Sequence, residues 1–454
     1  METVTVVGAG LAGCEAAWQL AQRQCPVRLI EMKPHKYSPA HKDPGFGELV
    51  CSNSLKAEHL TNASGLLKAE MDKLGSLVLS CARAARVPAG GALAVDRAAF
   101  SQNLTEKIEG HPLIRIERRV VTQMPDAPAI ISTGPLTDDA LAESIAQLPN
   151  CAQLHFFDAA APIVTRESLD MDKVFRASRY GNGDDYLNCP MDERTYSAFY
   201  NALIGAQMSE PHGFEKRLVF EGCLAVEILA ARGRQTLAYG PLKPIGLTDP
   251  HTGRMPYAVV QLRQDNAEGT LYNLVGFQTR LKWGEQKRVF SMIPGLEHAE
   301  FVRYGVMHRN TYLNSPDVLG RNYALKDNPL IRFAGQLTGV EGYVESAASG
   351  LLAGLSLARH LRGDAEPDFG NQTIMGALET HVRTRTGSFQ PMNANFGVLA
   401  QLDKRIREKQ LRYEALSARA LHAMDDVVNR MDDAFIEPAD TQRRADDDAN
   451  RMEE

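Results

Sequence analysis

The chain has 454 residues, 44% of them hydrophobic and 23% charged, with a formal net charge of −6; this leaves room for two or three domains of ordinary globular composition and gives no general reason to expect a nucleic-acid partner. No run of about 18 apolar residues occurs, and the first residues show neither a basic start nor a cleavage site, so the expectation is no membrane span, no signal peptide and a cytoplasmic location. Seven cysteines, at 14, 25, 51, 81, 151, 189 and 223, form no C-x-x-C pair, which argues against a zinc or other metal site and against a redox pair.

Val4-Thr5-Val6-Val7 reads as a buried parallel strand that runs directly into Gly8-Ala9-Gly10-Leu11-Ala12-Gly13, a G-x-G-x-x-G turn, and then into a helix over 14–21. Gly8 permits the tight turn, Gly10 lets backbone approach a pyrophosphate, and Gly13 lets the helix pack on the strand. The helix N-terminus offers free N–H groups and the positive end of its dipole to phosphates. A second apolar run, 27–30, ends in Glu31, an acid placed to bond a ribose 2′-hydroxyl. An acid there disfavours a 2′-phosphate, so this half of the chain is expected to hold FAD or NAD, not NADP.

A long Pro-, Gly-, His- and Lys-containing loop over 32–48 leads to Leu49-Val50-Cys51-Ser52-Asn53-Ser54, with a helix expected from Leu55. Ser52, Asn53 or Ser54 would cap that helix, and Cys51 would sit beside its N-terminus, a position that favours the thiolate. The same residues also fit a packing cysteine. Ala129-Ile130-Ile131-Ser132-Thr133-Gly134-Pro135 is a strand ending in T-G, placed to return to the cofactor.

From about Cys151 the segments shorten and aromatics and turn residues increase, which marks an inserted α+β domain over 151–327. It contains Phe220-Glu221-Gly222-Cys223, then a helix over 224–231 with Glu227 on the face of Cys223, then the Pro- and Gly-shaped loop 239–247. Arg280, Lys282, Trp283, Lys287 and Arg288 fit phosphate binding and ring stacking, and equally a solvated face. A strand over 330–335, a glycine-rich turn over 336–343 and a long Ala- and Leu-rich helix over 344–360 return to the nucleotide-fold pattern, with Gly350 and Gly354 allowing close packing. A charged amphipathic helix over 402–429 is expected to pack on the body, and 437–454, with seven acids and three arginines, to be a disordered acidic tail.

These blocks together resemble the bacterial folate- and FAD-dependent tRNA uracil-5-methyltransferases. The matching motifs are G-A-G-L-A-G (8–13), L-V-C-S-N-S-L (49–55), Y-L-N-C-P-M (186–191), F-E-G-C (220–223), Y-G-P-L-K-P-I-G-L (239–247), H-R-N-T-Y (308–312), G-Q-L-T-G-V-E-G-Y-V-E-S-A (335–347) and P-M-N-A-N-F-G (391–397). The resemblance implies an α/β, Rossmann-like FAD-binding domain of the glucose-inhibited-division-A-like flavoprotein type, in two parts (1–150 and 328–400) around the insertion. A helical extension over 401–436 follows.

The resemblance further implies methylation of the T-loop uridine of tRNA to ribothymidine. The carbon would come from 5,10-methylenetetrahydrofolate, and the electrons from FADH2 regenerated by NADH or NADPH (NAD or NADP as the oxidised products). Cys51 and Cys223 match the family's two functional cysteines. Gly8–Gly13, Glu31, Thr133, Gly134, Gly335, His308 and Glu341 match its cofactor and folate site. Cys223 is the expected nucleophile and Cys51 the proton acceptor or flavin-side helper; their order stays open at this stage. No obligate protein partner is expected. The same chemistry on a ribosomal RNA uridine, and a related flavoprotein of tRNA wobble-uridine modification, are the alternatives.

Overall fold

The computed structural model describes residues 2–151, 153–159, 161–179, 183–209, 224–305, 307–384 and 389–431, with the backbone alone for 153–159 and 307–310. The chain opens with β1 (Val4–Val7), α1 (Leu11–Gln22), β2 (Val27–Glu31), β3 (Ser54–Ala57), α2 (Ala63–Asp72), α3 (Leu77–Ala84), β4 (Arg86–Val87), β5 (Ala92–Val95), α4 (Arg97–Glu109), β6 (Ile114–Arg118), β7 (Ala129–Ile131) and α5 (Asp139–Ala146). It continues with β8 (Gln153–Ala159), β9 (Ile163–Thr165), β10 (Phe175–Arg176), β11 (Tyr186–Met191), α6 (Glu193–Ile204), α7 (Val226–Ala231), α8 (Thr236–Tyr239), β12 (Ala258–Gln264), β13 (Leu271–Leu274), α9 (Trp283–Phe290), β14 (Phe301–Arg303) and β15 (Met307–Leu313). It closes with α10 (Ser315–Val318), β16 (Ala324–Leu325), β17 (Asn328–Phe333), α11 (Tyr343–Arg362), α12 (Ile374–Thr384) and α13 (Lys409–Met431).

The first sheet runs β16-β17-β7-β1-β2-β6. Its β17, β7, β1, β2 and β6 are parallel, with Thr5 paired to Arg28 on one side and Ala129 on the other. Continuous apolar strands such as Val4–Val7 suit a parallel sheet covered on both faces. The chain leaves β1 for β2 on one side and reaches β7 on the other. That reversal opens a crevice at the carboxyl ends of β1 and β7, where open α/β sheets bind ligands.

Helix α1 is buried along its whole length. It lies against α11 so closely that a Cβ on Gly350 would stand 2.1 Å from Ala12 O, and one on Gly354 2.6 Å from Ala16 O. The packing role expected of both glycines is met.

The second sheet, β10-β11-β12-β13-β9-β14, is antiparallel throughout and has its own core. Leu187, Cys189, Val260, Leu262 and Leu274 pack there with Tyr196, Phe199 and Leu203 of α6 and Val289 and Phe290 of α9. A two-stranded ladder, β8-β15, and a small antiparallel sheet, β3-β5-β4, complete the topology.

Helix α13 buries Leu416, Ala420, Met424, Val427 and Met431. These spacings of three and four form one helical stripe, which joins the core shared with α1 and α2. The helix begins at Lys409, later than the expected 402. The acidic 437–454 stretch lies outside the described residues. Among the described residues no helix is long and apolar enough to cross a membrane.

Three local expectations are corrected. Leu55 does not start a helix: Ser54–Ala57 is a strand pairing with β5 (Ser54 with Ala94, Ala57 with Ala92), and Lys56 takes φ +65°. Tertiary pairing overrides the local pattern, and α2 begins only at Ala63. Cys51 is therefore not at a helix N-terminus, and Ser52, Asn53 and Ser54 cap nothing. The helix after Cys223 begins at Val226, so helical spacing does not relate Glu227 to residue 223.

Buried carboxylates do the capping that sequence proximity did not reveal. Glu15 accepts from Ser76 Oγ (2.9 Å), Leu77 N (3.2 Å) and Val78 N (2.9 Å) at the start of α3. Glu70 accepts from Ile374 N (2.7 Å) and Met375 N (2.8 Å) at the start of α12. Burial pushes Glu15 up to about 7 and Glu70 up to about 8, against the opposing pull of those hydrogen bonds.

Candidate active site

An open cavity occupies the crevice at the ends of β1, β2 and β7. Gly8, Ala9, Gly10, Leu11 and Ala12 line it, as do Glu31, Thr133, Gly134 and Gly335.

The sequence builds this wall locally. Gly8 has φ +95°, and a Cβ there would meet Ser132 O at 2.8 Å. Gly13 faces away from the cavity: a Cβ on it would stand 1.8 Å from Gly8 O, so the helix can approach the strand only without one. Ser132 Oγ donates to Val7 O (2.8 Å) and Gly8 O (3.0 Å), tying β7 to the turn. A Cβ on Gly10 would meet nothing within 4 Å, so the backbone is open at the point where a phosphate would approach. Helix α1 has no side-chain cap and no acid in its first turn, which leaves its first N–H groups for a ligand.

Glu31 is buried at the cavity edge. One oxygen accepts from Ala9 N (2.8 Å) and the other from Lys33 N (3.0 Å). A carboxylate has roughly four acceptor sites, so these two bonds fix its orientation and leave room for a ribose hydroxyl. An uncapped helix start, an open Gly10 and a fixed acid at the second strand end together fit an FAD dinucleotide.

The Leu49–Asn53 segment reaches the same cavity through Val50. It is held almost entirely by distant side chains. Arg97 Nη1 donates to Leu49 O (2.6 Å), and Arg303 Nη2 donates to Val50 O. Tyr343, itself a cavity residue, accepts from Cys51 N (2.7 Å) and Ser52 N (3.3 Å). Arg263 donates to Ser52 Oγ (2.6 Å) and Asn53 Oδ1 (2.9 Å). The Asn53 amide group donates to Val95 O (3.0 Å) and Gln264 O (2.9 Å). Asp265, buried, lies 3.2 Å from Arg97. Burial raises the Tyr343 phenol and lowers Arg263 and Arg303 from their ordinary ranges.

Cys51 is partly exposed. Cys14, Cys25, Cys81 and Cys189 are buried. Burial pushes the Cys14 and Cys189 thiols up, and Cys81 up to about 12, as for inert packing cysteines.

The remaining expected site residues are placed unevenly. Glu341 is buried beside the cavity, where Gln336 Nε2 donates to both its oxygens (2.9 and 3.0 Å). His308 lies on β15 opposite Asp158; its side chain is outside the described residues. That strand reaches the cleft, since Thr311 N donates to Pro135 O (2.8 Å). Cys223 lies outside the described residues. Glu227 is buried, accepting from Thr279 Oγ1 and Arg280 N at 2.9 Å each, and burial raises its carboxyl. Trp283 is 63% exposed and stacks on Tyr304 at 5.6 Å and 14° between planes. Three of the neighbouring cations are engaged within the chain: Arg288 with Glu285, Lys282 with Gln207 and Arg280 with Glu227. Sequence reasoning missed Arg97, Arg263, Arg303 and the role of Tyr343. Tyr343 falls inside a recognised motif, whereas no pattern around the three arginines marks them.

Comparison with known proteins bears on this geometry. The family model described as glucose inhibited division protein A matches residues 3–365. A protein of Desulforudis audaxviator named methylenetetrahydrofolate–tRNA-(uracil-5-)-methyltransferase TrmFO is 60% identical over 425 residues, covering 93% of this chain and 97% of its own. A protein of Enterococcus faecalis with the same name is 54% identical over 431 residues, covering 94% and 99%. The structure of Aquifex aeolicus GidA in its form I crystal aligns with a TM-score of 0.67 at 14% identity, over 94% of this chain and 76% of that one, a likeness of fold.

Proposed function

This chain belongs to the family of methylenetetrahydrofolate–tRNA-(uracil-5-)-methyltransferases, and from that premise we propose how its residues carry out the reaction on the T-loop uridine, in the cytoplasm. The protein is a folate-dependent flavoprotein methyltransferase of tRNA uridine. FAD, once reduced by NADH or NADPH, supplies the electrons that take the one-carbon unit of 5,10-methylenetetrahydrofolate to the methyl level.

Gly8–Ala12, Glu31, Thr133, Gly134 and Gly335 would hold the dinucleotide, while Gly13, expected among them, lets α1 pack on β1 behind the turn. His308 and Glu341 serve the folate and flavin side, the imidazole by stacking on the pterin and the carboxylate by accepting its N–H groups. Uracil C5 is a poor nucleophile. The thiolate of Cys223 adds at C6, which makes C5 enolate-like and able to attack an electrophilic carbon. Cys51 then accepts the C5 proton, the bond from the transferred carbon to its carrier breaks, a hydride equivalent from the reduced flavin would complete the methyl group, and the Cys223 thiolate leaves as the C5–C6 double bond re-forms. We assign 151–327 as the inserted domain that carries Cys223, and 1–150 with 328–400 as the FAD-binding domain.

One observation carries this reading: the segment holding Cys51 meets the dinucleotide cleft, with Val50 and Tyr343 both in its wall and Tyr343 bonded to the Cys51 N–H. The test is incubation of purified, flavin-loaded protein with unmodified tRNA and ribosomal RNA, methylenetetrahydrofolate and NADH, followed by mapping of the modified base. Ribothymidine in the tRNA T-loop is expected. Cys223→Ala is expected to abolish transfer while the flavin absorbance remains. Activity with S-adenosylmethionine as sole donor, or modification confined to ribosomal RNA, would sink it.

A further inference from the structure

The thiol of Cys51 sits in a segment pinned by guanidinium groups from three separate elements: Arg97 at the start of α4, Arg263 on β12 and Arg303 on β14. We propose that these three arginines are positioning residues that hold Cys51 as a thiolate at the cleft wall, and that the second sheet, which supplies two of them, thereby governs the cysteine's reactivity. This inference rests on the functional reading of Cys51.

The charges facing the segment favour an anion. Against the three guanidiniums stands the carboxyl of Asp265, which burial itself pushes upward from the ordinary range. The phenols on the facing elements, Tyr186 on β11 and Tyr343 on α11, are both raised by burial and so stay neutral. Arg97 is incompletely matched by that acid. Its Nη2 is 3.2 Å from Asp265, and among the described residues its buried Nε has no hydrogen-bond partner. A negative charge on Cys51 also opposes the effect of burial on both Arg263 and Arg303. Such coupling is mutual: what a thiolate does for a guanidinium, the guanidinium does for the thiolate.

The hydrogen bonds add direction to the charge. Arg97 and Arg303 donate to the carbonyls of Leu49 and Val50, and Arg263 grips the side chains of Ser52 and Asn53, so the chain is fixed on both sides of the cysteine. Arg263 and Arg303 lie on strands of the second sheet, and β12 and β14 reach the segment only when that sheet is seated. A sulfur that needs both to be a good base is then competent only in the assembled cleft.

The test is alkylation of Cys51 by iodoacetamide, followed by peptide mass spectrometry on the flavin-loaded full chain, with the buried Cys81 and Cys189 as internal controls. Rates are taken across pH from about 6 to about 9.5. The parent's midpoint is expected below the ~8.5 of a free thiol. Arg303→Met should raise it by about one unit and slow labelling about tenfold at neutral pH. Arg303→Lys should restore the midpoint, because the charge survives, while methyl transfer stays depressed because the carbonyl grip does not. Arg263→Met should act like Arg303→Met in any preparation that keeps its flavin.

A parent midpoint at or above the free-thiol value, or a profile unmoved in Arg303→Met, overturns the proposal, and the first needs no variant to fold. Shifted alkylation profiles together with full methyl transfer by Cys51→Ala would leave the arginine assignment standing and sink the functional reading instead.

Discussion

The Gly8–Gly13 turn and the Leu49–Asn53 segment border one cavity and are held in opposite ways. The turn is fixed by its own residues: the absence of a Cβ at Gly13 lets Gly8 O come within 1.8 Å of where one would stand. The segment has almost no local structure. Its distant partners lie from 42 residues away, at Val95, to 292 residues away, at Tyr343. A wall open to a pyrophosphate can be written into six consecutive residues, whereas the place of Cys51 is set by the rest of the fold.

Substitutions that strike each support in turn would break or sharpen this contrast. The largest effect is expected from Gly13→Val, where a side chain would drive into the Gly8 carbonyl. Flavin should be lost altogether and expression reduced, read as absorbance of the purified protein; a yellow, fully loaded variant would show that the turn is not the local clamp described.

Asn53→Ala comes next. It leaves Val95 O, Gln264 O and Arg263 Nε short of a partner in buried surroundings, at a cost of about 3 kcal/mol. Urea unfolding should show that loss, and methyl transfer should fall further than flavin binding does. Equal losses of both would erase the distinction between the two walls.

Glu31→Ala should be milder, because two backbone N–H groups lose their acceptor and a ribose hydroxyl loses its partner. FAD affinity should weaken about tenfold by titration of the apoprotein, with Cys51 alkylation unchanged.

The smallest effect concerns a long-range cap outside the site. Glu70 is raised from 4.5 to about 8, so the folded state holds its proton more tightly than the unfolded chain does. The associated stability is complete below about 4.5 and is lost as pH rises through about 8. The free energy of unfolding should therefore decline from pH about 5.5 to about 8.5, by about 1 kcal/mol per pH unit at most, and Glu70→Gln should flatten that decline. Glu15, at about 7, acts in the same direction and sets the residual slope.

The strands and helices around the dinucleotide cleft were legible because their signals are local and periodic. β1, α1, β2 and β7 fall where the apolar runs and glycines put them, and the close approach of α11 to α1 follows from Gly350 and Gly354. The expected helix from Leu55 failed for the converse reason. Its hydroxyls and amide, good caps on paper, were taken by Arg263 and by turns such as Ser54 N to Ser52 Oγ, and its backbone by β5. Cys51 was found as a residue through a motif, but its expected setting at a helix start was wrong and its actual setting among arginines was invisible.

The amino-acid order by itself thus determined where backbone may approach a phosphate, because a missing Cβ acts on atoms a few residues away. It also determined which cysteine-bearing blocks mark the family. Only the tertiary structure decided what surrounds Cys51. Charge acts through space, and Arg97, Arg263 and Arg303 become neighbours only after two sheets with separate cores have closed on the same short segment.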